Sequence, residues 1–165
     1  MFRTLTEKLQ KFLEEYQVGS YTLQANVKLS PQVKSFLLEV SKEGGNGIIT
    51  SVLRDSQPGR SYSNRSHQSG NKFDLKLDDI KNDYNKIADR VIPILRNNRC
   101  KELAFECLGQ FKNNEDSKRI AEIIKEIILN KDNIIKQRVL NNQLIIWTDW
   151  GWKYSTFTHA DICIQ

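Results

Sequence analysis

The segment from Gln57 to Lys72 constrains the fold more than any other part of the sequence. It reads QPGRSYSNRSHQSGNK and contains no aliphatic side chain, no acidic residue and one aromatic ring, at Tyr62. A stretch of this kind lacks the apolar surface that offsets the entropy lost when a chain becomes ordered. We therefore expect a flexible polar loop at 57–72, with folded segments on both sides of it.

The length and the apolar content of the chain predict a single domain over 1–165. With 165 residues, 39% of them hydrophobic, the chain can bury a core without disulfides or a structural metal. No stretch approaches the roughly 18 uninterrupted apolar residues of a membrane span. The N-terminal MFRTLTEKLQKFLEEY has acidic residues and an apolar stripe at helical spacing instead of the pattern of a signal peptide. We expect a cytoplasmic protein without membrane contact.

In the first third of the chain, the patterns predict a helix followed by strands. Thr4 and Glu7 form a capping box at the start of a helix over 4–16, and residues 21–29 alternate as a half-buried strand. Residues 31–43 fit either a helix or a strand. We favour a strand, because the glycine cluster at 44–47 leads into the β-rich GIITSVL and is typical of a hairpin.

The remainder of the chain continues the alternation of strands and helices. A short strand over 73–77 precedes a helix capped by Asp78 or Asp79, which Pro93 should end or kink, and 101–109 fits either type of element. A helix is expected over 114–130, and the aromatic C-terminus, with a turn at 149–151, predicts a hairpin. The expected fold is α+β: one antiparallel sheet of about five strands packed against two or three helices.

The charge of the chain favours an anionic partner. The net charge is +5 and the isoelectric point about 9.1, without a run of like charges that would mark a basic tail. We expect a non-enzymatic binding or regulatory domain that contacts nucleic acid or an acidic protein surface through the loop and needs no cofactor or metal. The predicted contact residues supply cationic groups and one ring that can stack on a base: Arg54, Arg60, Tyr62, Arg65 and Lys72.

An alternative function is suggested by Asp55 and the triplet Asp74-Leu75-Lys76 on the following strand. Two carboxylates with a nearby lysine can bind Mg²⁺ and position the attacking water in a hydrolytic reaction. This arrangement resembles the active site of metal-dependent nucleases of the PD-(D/E)xK type, and the order of helix, strands and helix is similar to the core of that fold. The resemblance implies a nuclease with Asp55, Asp74 and Lys76 as catalytic residues.

A third possibility is a protein-interaction module that uses the C-terminal tryptophans. In an extended WTDWGW segment, Trp150 and Trp152 share one face and Trp147 points to the other. Trp150 and Trp152 would then form the contact surface, although aromatic side chains in such segments are more often part of a core. The oligomeric state is open, and the broad isoleucine face of 120–128 leaves a homodimer possible.

Cysteine and histidine spacing indicates neither a zinc site nor a nucleophilic hydrolase. Cys100, Cys107 and Cys163 lack C-x-x-C spacing, and a zinc site would have to combine them with His159 from distant segments. We expect three free, buried thiols. Only His67 and His159 could act as a histidine base, and no G-x-S-x-G motif is present.

Overall fold

The computed structural model describes residues 4–6, 16–53, 69–80, 83–108, 114–151 and 156–165, without the side chains of 107, 108, 114–117, 149–151 and 156–158. Most of the predicted helix 4–16 and residues 57–68 of the predicted loop lie outside this description. The strands are β1 Gln17–Val18, β2 Tyr21–Leu23, β3 Gly47–Ser51, β4 Lys72–Lys76, β5 Cys100–Leu108, β6 Ile145–Gly151 and β7 Thr156–Ile164. The helices are α1 Pro31–Lys42, α2 Tyr84–Arg96, α3 Asn114–Lys131 and α4 Asn133–Leu140.

The strands form one mixed sheet in the order β1-β2-β3-β4-β7-β5-β6. The pairs β2 with β3 and β5 with β6 are parallel, and the other four pairs are antiparallel. The predicted α+β class is correct, but the described part of the chain has seven mixed strands and four helices instead of about five antiparallel strands and two or three helices. The parallel pairs arise because helices cross over between their strands, α1 in the first case and α3 with α4 in the second.

The prediction of a strand over 31–43 is wrong, since this segment forms helix α1. Ser30 is its N-cap and accepts a hydrogen bond from the Val33 amide at 3.2 Å, while Pro31 occupies the first helical turn. The side chains that the core buries follow helical spacing: Val33, Phe36, Leu37 and Val40. In a strand, Leu38 would share one face with Phe36 and Val40, but it is 41% exposed.

The glycine cluster after α1 is not a hairpin turn between antiparallel strands. Gly44 has a φ of 88°, in the left-handed region that favours glycine, and a Cβ atom at Gly45 would overlap the side chains of Tyr21 and Val40. The cluster therefore ends the helix and brings the chain back against the core. It leads into β3, which runs parallel to β2.

The end of the predicted loop is part of the fold. The Ser30 hydroxyl donates a hydrogen bond to the carbonyl of Gly70 at 2.7 Å, which ties this point to the start of α1. Lys72 begins β4 and is only 6% exposed, so it does not belong to a solvated loop. The predicted strand over 73–77 is confirmed by β4.

In the second half, the start of one helix, the position of Pro93 and the C-terminal hairpin differ from the prediction. Helix α2 is capped by Asp83, whose side chain accepts from the Lys86 amide at 3.1 Å, and Pro93 lies inside the helix without ending it. The ambiguous segment 101–109 is a strand, and the predicted helix over 114–130 is confirmed by α3. The C-terminal hairpin is wrong, because β5 lies between β6 and β7.

The two faces of the central strands differ in character. Phe73 and Leu75 of β4, Leu103 and Phe105 of β5, and Ile162 of β7 are fully buried in a core that includes apolar residues of the helices. Their alternating neighbours, which point to the opposite face, are mainly charged. Within the described residues, no helix is long and apolar enough to cross a membrane.

A candidate metal centre on the polar face of the sheet

The register of β4, β7 and β5 brings charged residues from three strands together. Asp74 of β4 lies directly opposite Asp161 of β7. His159, two residues before Asp161 and therefore on the same face, lies opposite Lys76 on one side and Glu106 of β5 on the other. These strands occupy the middle of the sheet, where hydrogen bonds to neighbours on both sides hold their backbones in place.

The side chains converge on the imidazole of His159. Its Nε2 atom lies 2.6 Å from Oε2 of Glu106, 3.3 Å from Oδ1 of Asp161 and 3.9 Å from Oδ2 of Asp74. Asp74 and Asp161 are 2% and 3% exposed, whereas the side chains of His159 and Glu106 are about one-fifth exposed. The cluster is therefore buried at the two aspartates and reaches the surface at the histidine and the glutamate.

Burial and charge shift the pKa values within this cluster in different directions. Burial raises the pKa of Glu106 to about 7, against the effect of its hydrogen bond to His159. Burial opposes the charged form of His159, but its interactions with Asp161, Glu106 and Asp74 outweigh this effect and raise its pKa to about 10. Burial likewise opposes the charge of Asp161, yet its hydrogen bonds and the charge of Lys72 hold its pKa well below the usual range.

Two lysines border the carboxylates. The Nζ atom of Lys72 lies 3.1 Å from Oδ2 of Asp161, and both side chains are almost completely buried. Lys76 is about one-third exposed at the rim, where its Nζ lies 3.6 Å from Oδ1 of Asp78. Lys72 therefore holds one carboxylate in place, while Lys76 presents a positive charge toward the solvent side of the cluster.

The donor atoms of Asp74, His159 and Asp161 fit a divalent cation. One ligand atom from each residue lies within 4.8 Å of the others, and the structure shows no second such group in the part of the chain it describes. Oδ1 of Asp161 is buried and lies 3.3 Å from Nε2 of His159, but without the alignment of a hydrogen bond. A bound cation would satisfy that oxygen, and carboxylate and imidazole groups are common ligands of divalent metals.

Protonation of His159 and coordination of a cation depend on the same surroundings. The negative charges that keep a proton on Nε2 would also attract a cation to that position. Coordination through Nε2 would release this proton, since a histidine ligand must be neutral.

Of the nuclease residues predicted from the sequence, the structure places two at this cluster. Asp74 is at its centre and Lys76 at its rim, on the same strand face. Asp55 lies outside the described residues, as do Arg54, Arg60, Tyr62 and Arg65 of the predicted binding loop. Lys72, the fifth residue of that set, pairs with Asp161.

The predicted tryptophan surface is described only in part. Trp152 and the side chain of Trp150 lie outside the description, so their role stays a prediction. Trp147, which was expected on the other face, is 43% exposed on β6.

Glu106, Asp161 and the role of His159 were missed by the sequence analysis. The available signal was His159-Ala160-Asp161, because two polar residues at alternate positions of an apolar strand share one face. A zinc site that joins His159 to Cys163 is excluded by the strand, which separates residues four positions apart by about 13 Å. Cys100 is buried as predicted and Cys163 is only partly buried, while the side chain of Cys107 lies outside the description.

A separate cavity of about 590 Å³ lies on another part of the surface, between α1 and α2, and its lining includes Glu39, Arg96 and Arg99. Arg99 pairs with Glu39 at 3.3 Å, and Arg96 pairs with Asp132 at 3.1 Å. These arginines thus join elements of the fold to one another, and the cavity holds no cluster comparable to the one around His159.

Comparisons of the chain with protein-family models, with curated proteins and with solved structures found no match. The function of the site must therefore be inferred from its geometry.

Proposed function

We propose that this protein is a nuclease that depends on a divalent cation held by Asp74, Asp161 and His159. The observation that carries the proposal is the convergence of these three ligand atoms within 4.8 Å on adjacent central strands. The proposal keeps Asp74 and Lys76 from the sequence-based nuclease hypothesis. The second carboxylate ligand of the cation, beside Asp74, is now Asp161 instead of Asp55.

A phosphodiester substrate fits the net charge of the chain and the lysine at the rim of the site. The whole chain carries a net charge of +5, and Lys76 places a positive group at the rim next to His159. A cation bound in such a site polarises a phosphoryl oxygen and lowers the pKa of a bound water. Lys76 is placed to neutralise charge that develops on the phosphate, which is the role implied by the Asp-x-Lys resemblance.

Each of the other residues has a supporting role in this proposal. Lys72 holds Asp161 by a buried ion pair, which fixes the orientation of that carboxylate. Glu106 lies 2.6 Å from Nε2 of His159 and so helps to hold the imidazole in its orientation. A mixed set of carboxylate and imidazole ligands suits Mn²⁺ better than Mg²⁺, which prefers oxygen ligands.

The binding function predicted for the loop remains an alternative. Four of its five contact residues lie outside the described part of the chain, and Lys72 is occupied in the ion pair with Asp161. No described contact favours this function over the nuclease, and a basic loop near the site would be compatible with both.

The proposal is tested by cleavage assays on chelator-treated protein with Mn²⁺ or Mg²⁺ added back. Labelled single- and double-stranded RNA and DNA serve as substrates. We expect cleavage that depends on Mn²⁺. Substitution of a residue that only supports a metal ligand typically lowers activity by roughly 10- to 100-fold, and Asp74→Asn and Asp161→Asn should lower it by more than that. Asp89→Asn, which alters an exposed carboxylate paired with Lys131, is the matched control and should retain activity.

A binding measurement keeps the proposal testable if the right substrate is not among those assayed. Mn²⁺ should raise the thermal midpoint of the wild-type and Asp89→Asn proteins, because a ligand that binds only the folded state stabilises it. It should not raise that of Asp74→Asn. Absence of any Mn²⁺ effect on the wild-type protein would refute the metal site and the nuclease with it.

A further inference from the structure

An exposed aromatic residue lies on the same sheet face as the metal centre. Trp147 is 43% exposed and Ile145 is 58% exposed, and both belong to β6, the edge strand of the sheet. The indole Nε1 of Trp147 donates a hydrogen bond to Oε1 of Glu102, a residue of β5. Glu102 and Glu106 are four positions apart on that strand, so Trp147 shares the face that carries Glu106 and His159.

The register places Trp147 in one row with the two aspartates. Asp74 pairs with Asp161, Asp161 pairs with Ala104, and Ala104 pairs with Trp147. Neighbouring strands are separated by about 4.8 Å, so the backbone of Trp147 lies about 10 Å from that of Asp161 across the sheet. The residue between them, Ala104, is only 3% exposed, so the accessible side of the cluster that Trp147 can share is the one at Glu106 and His159, which are about one-fifth exposed.

We propose that Trp147 is a stacking platform for a base of a single-stranded nucleic acid whose phosphate lies at the exposed edge of the cluster, beside His159. This inference rests on the proposed nuclease function and names its substrate class. The indole is fixed by Glu102 while a large part of its surface stays open, which suits stacking better than core packing. Stacking of successive bases on aromatic side chains is a usual part of binding single strands without sequence preference.

Single strands are favoured over duplexes by the direction from which the base must approach. A base can lie on the Trp147 ring only when it is unstacked from its neighbours and unpaired. In a duplex the bases are paired and turned inward, so the ring of Trp147 would have no base to stack on. Ile145, beside Trp147 on the same face, extends the apolar surface that a base or a sugar would cover.

The test is an anisotropy measurement on the wild-type protein with Mn²⁺, using a labelled oligouridylate with uncleavable linkages, and its duplex, so that the strand stays intact. We expect Trp147→Ala to weaken single-strand binding by roughly 5- to 150-fold, the range that corresponds to loss of one stacked base. Trp147→Phe, which keeps a ring, should retain most of the affinity. Leu140→Ala removes an exposed apolar side chain from α4 and should leave the affinity unchanged.

The outcomes separate this inference from the nuclease proposal. If Trp147→Ala binds the single strand as tightly as its parent, or if the duplex is bound more tightly than the single strand, the stacking role is refuted, even where cleavage depends on Asp74. If Trp147 contributes to single-strand binding but the wild-type protein binds no Mn²⁺ and cleaves nothing, the stacking role stands and the nuclease fails. No binding of the oligonucleotide by any form refutes the stacking role.

Discussion

Asp74 and Asp161 face each other across two antiparallel strands, with 2% and 3% of their surfaces exposed. Two carboxyl groups at directly opposed positions destabilise a sheet when both are ionised, and burial increases the cost. The described structure balances them with the Lys72 ammonium group 3.1 Å from Asp161 and the protonated imidazole of His159. A buried pair of carboxylates held in this way is costly for stability alone, which is why we interpret it as a functional site.

Removal of the Asp161 carboxylate should show how much its ion pair with Lys72 contributes to stability. Asp161→Asn removes the carboxylate that pairs with the buried ammonium group of Lys72, and loss of one member of a buried ion pair typically costs about 3–5 kcal/mol. We expect a loss of that order in the free energy of unfolding, measured by urea denaturation in the presence of a chelator. Asp89→Asn disrupts an exposed pair and should cost less than about 1 kcal/mol. Equal effects of the two variants would contradict the buried pair.

The ion pair of Asp79 and Arg90 predicts a specific pH dependence. Arg90 donates to both carboxylate oxygens, at 2.7 and 3.0 Å, and its hydrogen bond and charge lower the pKa of Asp79. A carboxylate whose pKa is lower in the folded state stabilises the protein above its unfolded pKa of about 3.9, and this stabilisation is lost as the pH falls through the folded value.

Asp79→Asn should therefore be less stable than the wild type at pH 7 and approach it in stability at acidic pH. Because the pair is partly exposed, the difference at pH 7 should stay at or below about 1 kcal/mol. Urea denaturation of both proteins between pH 7 and pH 3 provides the measurement. The interpretation fails if the difference in stability stays constant over this range or grows as the pH falls.

Arg138 of α4 should be the most sensitive cationic residue on the helical side of the described structure. It is 5% exposed and donates to several backbone carbonyls, including those of Leu95 and Cys100, each at 2.5 Å. Arg138→Lys keeps the charge but loses the planar group with its five N–H donors, so buried carbonyls would lose their partners.

We expect Arg138→Lys to lower the free energy of unfolding by about 2 kcal/mol or more, in line with the cost of leaving buried polar groups unsatisfied. Lys136→Ala, at an exposed position of the same helix, serves as the control and should stay within about 0.5 kcal/mol of the wild type. Thermal and urea denaturation measure both variants. A stability of Arg138→Lys equal to that of the control would show that these hydrogen bonds contribute little.

In segment 31–43, the spacing of apolar residues does not distinguish a helix from a strand. Phe36 and Val40 fit both a helix and a strand. The segment forms a helix because Ser30 caps its N-terminus and Pro31 occupies the first turn. The glycines at 44–47 supported a hairpin only as long as the preceding segment was taken as a strand. One ambiguous element thus changed the expected sheet from mixed to antiparallel.

The sequence by itself determined the α+β class, the helix from Asn114, the strand that carries Asp74 and Lys76, and the fact that alternate residues of that strand share a face. These features depend on periodicity and capping, which are local. Only the tertiary structure decided that β7 lies between β4 and β5, which brings His159 and Asp161 to Asp74 and Glu106. Strand order and register depend on hydrogen bonds and packing between segments far apart in the chain, and local periodicity does not specify which strands become neighbours.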